Sequence, residues 1–167
     1  MIIGIVADTH NEKALTQKAL NEFAKRKVEL ILHAGDIASA YMLSLFTGFN
    51  VKFVLGNDDK DVEAINSESL RLGFGSVGKE LTFTAEGKSF IMFHGEDVPK
   101  FRAAVASNEY DYIIKGHAHC FENYLRGKSR VINPGALCKN HELKDCEFTV
   151  AVLDTENDKV EKIKIIP

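Results

Sequence analysis

Five short apolar runs, each of strand length, stop on glycine or on residues able to ligate metals, and this repeated ending constrains the chain more than any other feature. Ile2-Ile3-Gly4-Ile5-Val6-Ala7 runs into Asp8-Thr9-His10, and Leu30-Ile31-Leu32 is followed by Gly35-Asp36. Val51–Leu55 leads to Gly56-Asn57-Asp58-Asp59, Phe90–Phe93 to His94-Gly95, and Tyr112–Ile114 to Gly116-His117-Ala118-His119. Unbroken apolar runs suit strands buried on both faces, and open α/β sheets bind ligands beyond the carboxyl ends of their strands. Five ends of one chemical character describe one site.

Between the runs the spacing changes. Leu15, Ala19 and Phe23 recur every four residues and predict an amphipathic helix of roughly 15 residues. Met42, Leu45, Phe46 and Phe49 predict a second helix, and Asp61 to Leu72 a short third. Strands alternating with helices imply parallel pairing with right-handed crossovers. Gly73, Gly75, Ser76 and Gly78 then form a loop, either an ordinary connection or a flap over the site.

The second half reads differently. Leu81–Thr84 and Phe90–Phe93 flank Glu86-Gly87-Lys88, a hairpin signature, and two more hairpins turn at Arg126-Gly127-Lys128 and Glu156-Asn157-Asp158. Pro99 marks a first helical turn, with Phe101, Ala104 and Val105 on one face. Ile163 and Ile165 alternate with Lys162 and Lys164, the pattern of a half-buried strand. No Pro- or Ser-rich linker separates the halves, so residues 1–167 read as a single domain. The expected fold is a four-layer αββα sandwich, two mixed β-sheets face to face with helices outside.

Composition narrows the function. A net charge of −3 argues against gripping nucleic acid through a broad basic surface. The first apolar run is too short for a secretory h-region or a membrane span, which leaves no membrane partner expected. Cys120, Cys138 and Cys146 are odd in number and form no CxxC pair, so they read as plain thiols in a reducing cytoplasm.

The strand ends supply two carboxylates, one amide oxygen and four imidazoles. In extended backbone, residues i and i+2 point to one side, so Asp8 is expected to converge with His10, and His117 with His119. Glycines at 35, 56, 95 and 116 are expected where the backbone turns sharply. Each residue also has a structural reading, Asp8 as a helix cap and Asp36 as a turn former. Together they suit two divalent ions if Asp36 bridges them. Mixed N and O donors fit Mn²⁺, Fe²⁺, Co²⁺, Ni²⁺ or Zn²⁺.

The ordered series Asp8-x-His10, Gly35-Asp36, Gly56-Asn57, His94, Gly116-His117-x-His119 resembles the calcineurin-like metallophosphoesterases. The short length, His33-Ala34-Gly35-Asp36 and Ile132-Asn133-Pro134-Gly135 resemble, more narrowly, the small single-domain phosphodiesterases of bacteria and archaea. This resemblance implies that Asp8, His10, Asp36 and His119 hold one ion, and Asp36, Asn57, His94 and His117 a second, with Mn²⁺ the preferred metal. It implies ions roughly 3.5–4 Å apart and a metal-bridging hydroxide as nucleophile. The implied activity is hydrolysis of a small phosphorylated substrate, a phosphodiester in preference to a monoester.

Asp36, Asn57 and His94 are thereby expected in catalysis, together with Asp58, which stands where the wider family carries a histidine near the leaving group. An ionised Asp58 would repel a phosphate unless it turned away, met a metal or held a proton. Glu96, where that branch often carries histidine, is given no role. His33, inside an apolar strand, reads as a core or outer-sphere residue, and His141 as a surface one. Asn133-Pro134-Gly135 positions a loop at the cluster or is simply a turn. Arg102, Lys115 and Lys139 are candidate phosphate contacts. The competing expectations are a phosphomonoesterase or nucleotide phosphatase, a non-catalytic scaffold like the retromer subunit of this fold, and a nuclease. A homodimer is compatible with the sequence, and no stable nucleic-acid partner is expected.

Overall fold

In the computed structural model, residues 1–138 and 147–167 are described. Lys139, His141 and Cys146 lie outside the described residues.

Alternation within the buried runs decides the layering. In β1 (Ile2–Val6), Ile3 and Ile5 turn to one side and Val6 to the other, and all three are buried. The same split recurs in β5 (Lys88–Phe93) and β6 (Tyr112–Ile114). There Phe90, Met92, Tyr112 and Ile114 join the layer that holds Ile3 and Ile5, while Ile91, Phe93 and Ile113 face away. Strands with two apolar faces need cover on both, and that requirement produces four layers.

The first sheet runs in the order β10 (Lys159–Lys164), β9 (Thr149–Asp154), β1, β2 (Leu30–Ala34), β3 (Val51–Val54). The second runs β4 (Glu80–Ala85), β5, β6, β8 (Ser129–Pro134), β7 (Phe121–Arg126). Both are mixed. Strands β1, β2 and β3 are mutually parallel, as are β5, β6 and β8, while β9, β10, β4 and β7 pair antiparallel at the flanks. Helices α1 (Lys13–Lys25) and α2 (Val62–Arg71) cover the outer face of the first sheet, and α3 (Val98–Ser107) that of the second. The expected αββα sandwich is the observed one.

Local chemistry explains the boundaries. Asp61 caps α2 by accepting from Ala64 N at 3.0 Å, and Asp97 caps α3 through Lys100 N, with proline in the first turn. Glu86 (φ 50°) and Gly87 (φ 71°) form the two-residue β4–β5 turn, both left-handed as a type I′ hairpin requires.

One expectation is corrected and one alternative is decided. The second helix is a 3₁₀ segment, Ala40–Phe46, and Phe49 lies beyond it. Ser39 offers no side-chain cap, and Gly48 at φ 91° ends the run, so only a tight, short turn forms. Of the two readings of the glycine loop, its contacts favour the ordinary connection over the flap. Gly75 O accepts from Ser69 Oγ at 2.7 Å, Val77 N donates to Asn66 Oδ1 and Leu55 N to Gly78 O. With Phe74 packed on Phe53, the loop is pinned to α2 and β3.

Candidate metal centre

All six parallel strands end at the same edge of the sandwich, and that edge gathers the ligand-type residues. Its loops are tied in series. Asp8 N donates to Gly35 O, His10 N to Asp36 O and Gly116 N to His94 O. The reason Asp8 and His10 converge differs from the expected one. Their backbone is not extended: Asp8 (φ 53°), His10 (φ 38°), Asp36 (φ 58°), His117 (φ 67°) and His119 (φ 55°) are all left-handed. Side chains are aimed by tight turns, a conformation that costs free energy and concentrates at functional sites.

The turns bring five side chains to one point. Asp8 Oδ1 faces His119 Nε2 at 3.2 Å, His94 Nε2 at 3.7 Å and His10 Nε2 at 3.9 Å. Asp36 Oδ2 faces His94 Nε2 at 3.1 Å and His10 Nε2 at 3.5 Å. Asp8 and His94 are fully buried, and Asp36 nearly so. Yet Asp8 Oδ1, His10 Nε2 and His94 Nε2 have no hydrogen-bond partner among the described residues. Buried polar atoms are nearly always satisfied, so several orphans aimed at one another mark a place shaped for a cation.

The opposite ends of His94, Asp8 and Asp36 are held. His94 Nδ1 donates to Ala34 O at 2.8 Å, which places the hydrogen on Nδ1 and leaves the Nε2 lone pair facing the cluster. Asp8 Oδ2 accepts from His117 N at 3.1 Å, and Asp36 Oδ1 from Asp58 N at 2.8 Å. Gly56 and Gly116 are needed for space rather than for a sharp turn, since neither has positive φ. A Cβ on Gly56 would overlap the Asp36 carboxylate, and one on Gly116 would stand 2.8 Å from Asp8 Oδ2.

Electrostatics follow the same geometry in the metal-free chain. Burial pulls the His94 imidazolium down, but the close Asp36 carboxylate and the charge of Asp8 outweigh it and raise His94 to about 9. The Asp8 carboxylate, with Cys138 behind it, raises His119 to about 10. Burial opposes ionisation of Asp36, and the neighbouring His94 nonetheless holds its carboxyl below the usual range. Cationic imidazoles clasping two carboxylates are what such a cluster becomes when its counter-charge must come from protons.

The remaining expected residues stand outside this knot. Asn57 is exposed, and its amide lies 3.3 Å from Asp58 Oδ1. His117 is exposed with its ring against His94, 5.2 Å between centroids. Asp58 is half exposed, 3.5 Å from Lys60 Nζ and 3.8 Å from His10 Nδ1. His33 is buried between Phe46 and Phe53, held at 3.1 Å by Thr9 Oγ1 and lowered by burial to about 3, a neutral core histidine. Lys115 is paired with Glu122, and Arg102 is exposed on α3. Asp8 caps no helix, since Glu12 occupies that position of α1.

Two participants were missed in the sequence. Asp59 is buried and its carboxylate accepts from Asp36 N (2.9 Å), Gly56 N (2.7 Å) and Ala38 N (2.7 Å), locking two ligand loops together. Only its place after Gly-Asn-Asp hinted at this. Cys138 Sγ lies within 4.8 Å of one nitrogen each of His10 and His119. Burial pushes its thiol up, but those two imidazoles draw it below the ordinary value. No spacing pattern pointed to it. Asn133, the open case, is buried with Nδ2 on Gly116 O at 2.8 Å and Oδ1 on Gly135 N, so it fastens β8 to the His117–His119 loop.

Comparison with known proteins agrees with this geometry. The calcineurin-like phosphoesterase superfamily domain matches residues 1–158. A phosphodiesterase from Methanocaldococcus jannaschii is 30% identical over 174 aligned positions, 98% of each chain. The solved structure of an archaeal phosphodiesterase has a TM-score of 0.88 at 26% identity, covering 99% of this chain and 100% of that one. Vps29 of Entamoeba histolytica, solved with zinc, shares the fold at a TM-score of 0.70 and 15% identity, with 98% of this chain and 99% of that one covered. With this match across nearly its whole length, the chain belongs to the calcineurin-like phosphoesterase superfamily and is a metallophosphoesterase.

Proposed function

We propose that this protein hydrolyses phosphodiester bonds of a small substrate with two divalent transition-metal ions, manganese preferred. Asp8, His10, Asp36 and His119 would hold one ion, and Asp36, Asn57, His94 and His117 the other. The observation that carries the reading is the position of Asp36 Oδ2, 3.1 Å from His94 Nε2 and 3.5 Å from His10 Nε2. It lies between a ligand assigned to each ion, as a bridge must. Bound there, the ions would supply Lewis acidity, polarising the phosphoryl group and lowering the pKa of water at the site.

The chain's own residues do the rest. Ala34 O and Asp58 N fix His94 and Asp36 from behind, so the ligands are set before substrate arrives. Lys60 beside Asp58 offsets a charge that would otherwise repel the phosphate. Diesters are preferred because the 30% identical relative is named a phosphodiesterase and because Asp58 replaces the usual histidine. Three cysteines, odd in number and with no CxxC pair, support a reducing, cytoplasmic setting.

The test is hydrolysis of a chromogenic diester beside its monoester, with chelated protein reconstituted separately with Mn²⁺, Ni²⁺, Zn²⁺ and Mg²⁺. Metal-dependent turnover favouring the diester is expected, with activity and most bound metal lost in Asp36→Ala. Faster monoester turnover would overturn the diester preference. Full activity in folded Asp36→Ala would overturn the bridge, and metal binding without turnover of either ester would leave a scaffold.

A further inference from the structure

Behind His119 stands a sulfur atom that the proposed reaction leaves without a task. Cys138 Sγ lies 3.8 Å from His119 Nδ1, hydrogen-bond distance for sulfur. Across the ring, His119 Nε2 is 3.2 Å from Asp8 Oδ1, a fully buried carboxylate oxygen with no hydrogen-bond partner among the described residues. One imidazole thus faces an orphaned oxygen on its cluster side and a thiol on its rear. The thiol is delivered by a segment fastened to both ligand loops: Asn133 Nδ2 donates to Gly116 O, and Leu137 N donates to Asp8 O at 3.2 Å.

We propose that Cys138 is a positioning residue of the metal centre, its sulfur accepting the His119 Nδ1–H and so holding the ring in the tautomer that offers Nε2 to the ion. This rests on the metal-centre reading above. A neutral imidazole that binds an ion through Nε2 carries its hydrogen on Nδ1, and metal-bound histidines as a rule donate that hydrogen to an acceptor behind them. His94 shows the arrangement with a backbone carbonyl, Nδ1 to Ala34 O at 2.8 Å. His119 uses sulfur in the same place. The same sulfur lies within 4.8 Å of one nitrogen of His10, so direct ligation by Cys138 is the competing outcome that the experiment separates. The lone-pair directions of Nδ1 and Nε2 diverge across the ring, so the thiol would orient His119 from behind without being a ligand itself.

The experiment titrates chelated wild type, Cys138→Ala and Cys138→Ser with Zn²⁺ and Co²⁺, with thermal unfolding of each variant to verify folding. Loss of an outer partner of this kind weakens metal affinity about 10–100-fold, which is the expectation for Cys138→Ala. Cys138→Ser should recover part of the loss, because a hydroxyl also accepts from Nδ1–H. In zinc-loaded wild type, long-range ¹H–¹⁵N spectra should show His119 bound through Nε2 and protonated at Nδ1. The cobalt form should lack a thiolate-to-cobalt charge-transfer band. Unchanged affinity in Cys138→Ala, or such a band in wild type that Cys138→Ser abolishes, would overturn the assignment. A wild type that binds neither metal would overturn the metal-centre reading and this assignment with it.

Discussion

Asp59 touches none of the residues proposed to meet substrate except through the Asp36 backbone, yet removing its carboxylate should damage both fold and site. In Asp59→Ala three backbone donors lose their acceptor, Asp36 N, Gly56 N and Ala38 N. An unsatisfied buried donor costs about 1–3 kcal/mol. Ala38 is only half-buried, and water entering the vacated space would satisfy it. Burial also opposes ionisation of Asp59 and raises its pKa, which offsets part of what its hydrogen bonds contribute. The net loss is therefore about 3 kcal/mol, near the lower end of the sum. For a chain of 167 residues that corresponds to a Tm lower by about 6–12 °C. Thermal unfolding by circular dichroism of chelated protein reads this directly, and metal content by mass spectrometry reads the site. Because Asp36 N is one of the three donors, bound metal should fall as well. Asp59→Asn keeps one acceptor and should lie between wild type and alanine. A Tm within about 2 °C of wild type would refute the accounting, and a large Tm loss with full metal content would refute the link between Asp59 and Asp36.

Proton linkage and a steric test follow from the same cluster. His94 at about 9 and His119 at about 10 are raised above the unfolded value, so their contribution to metal-free stability is full below about 6.5 and lost as pH rises through about 9 and 10. Metal binding needs both rings neutral, so binding near pH 7 should release on the order of two protons and tighten as pH rises towards 9. Calorimetric titrations in buffers of different ionisation enthalpy would measure this, and a binding heat independent of buffer would refute it. Gly56→Ala should cost about 1–3 kcal/mol and displace the Asp36 carboxylate, because the added methyl has no room. Retained metal affinity with unchanged Tm would show that the loop yields without loss.

The gathering of Asp8, His10, Asp36, His94 and His119 was legible because carboxylates and imidazoles recur where the parallel strands end, the donor types that suit a cation. The layering was legible for a related reason, since runs such as Phe90–Phe93 alternate between two apolar faces that both need cover. Aim was not legible. An extended Asp8-x-His10 and a left-handed one have the same letters, and only the hydrogen bonds from Asp8 N to Gly35 O and from His10 N to Asp36 O select between them. Outer partners were hidden for a deeper reason. Asp59 and Cys138 act on loops distant in sequence, and the character of an acid or a thiol depends on what faces it. The 3₁₀ segment escaped because apolar spacing alone does not separate a tight helix from an α-helix.

Five ligand-type residues held at positive φ raise a question of energy. Aspartate and histidine tolerate this region better than most side chains, so about 1 kcal/mol each is a fair cost, about 5 kcal/mol together. That equals the total stability of a marginal domain. No loop here could hold its turn alone, and none does. Asp59 joins the β2 and β3 loops, Asp8 Oδ2 joins the β1 and β6 loops through His117 N, and Asn133 joins β8 to the β6 loop through Gly116 O. Each turn is stabilised by a neighbour's acceptor, so the strain is shared across the edge of the sandwich. The ligand set therefore behaves as one unit, in which removing a carboxylate that binds no metal should release ligands several residues away. That coupling is why Asp59→Ala must be read in Tm and metal content together: a fall in one alone would mean that the loops are set independently.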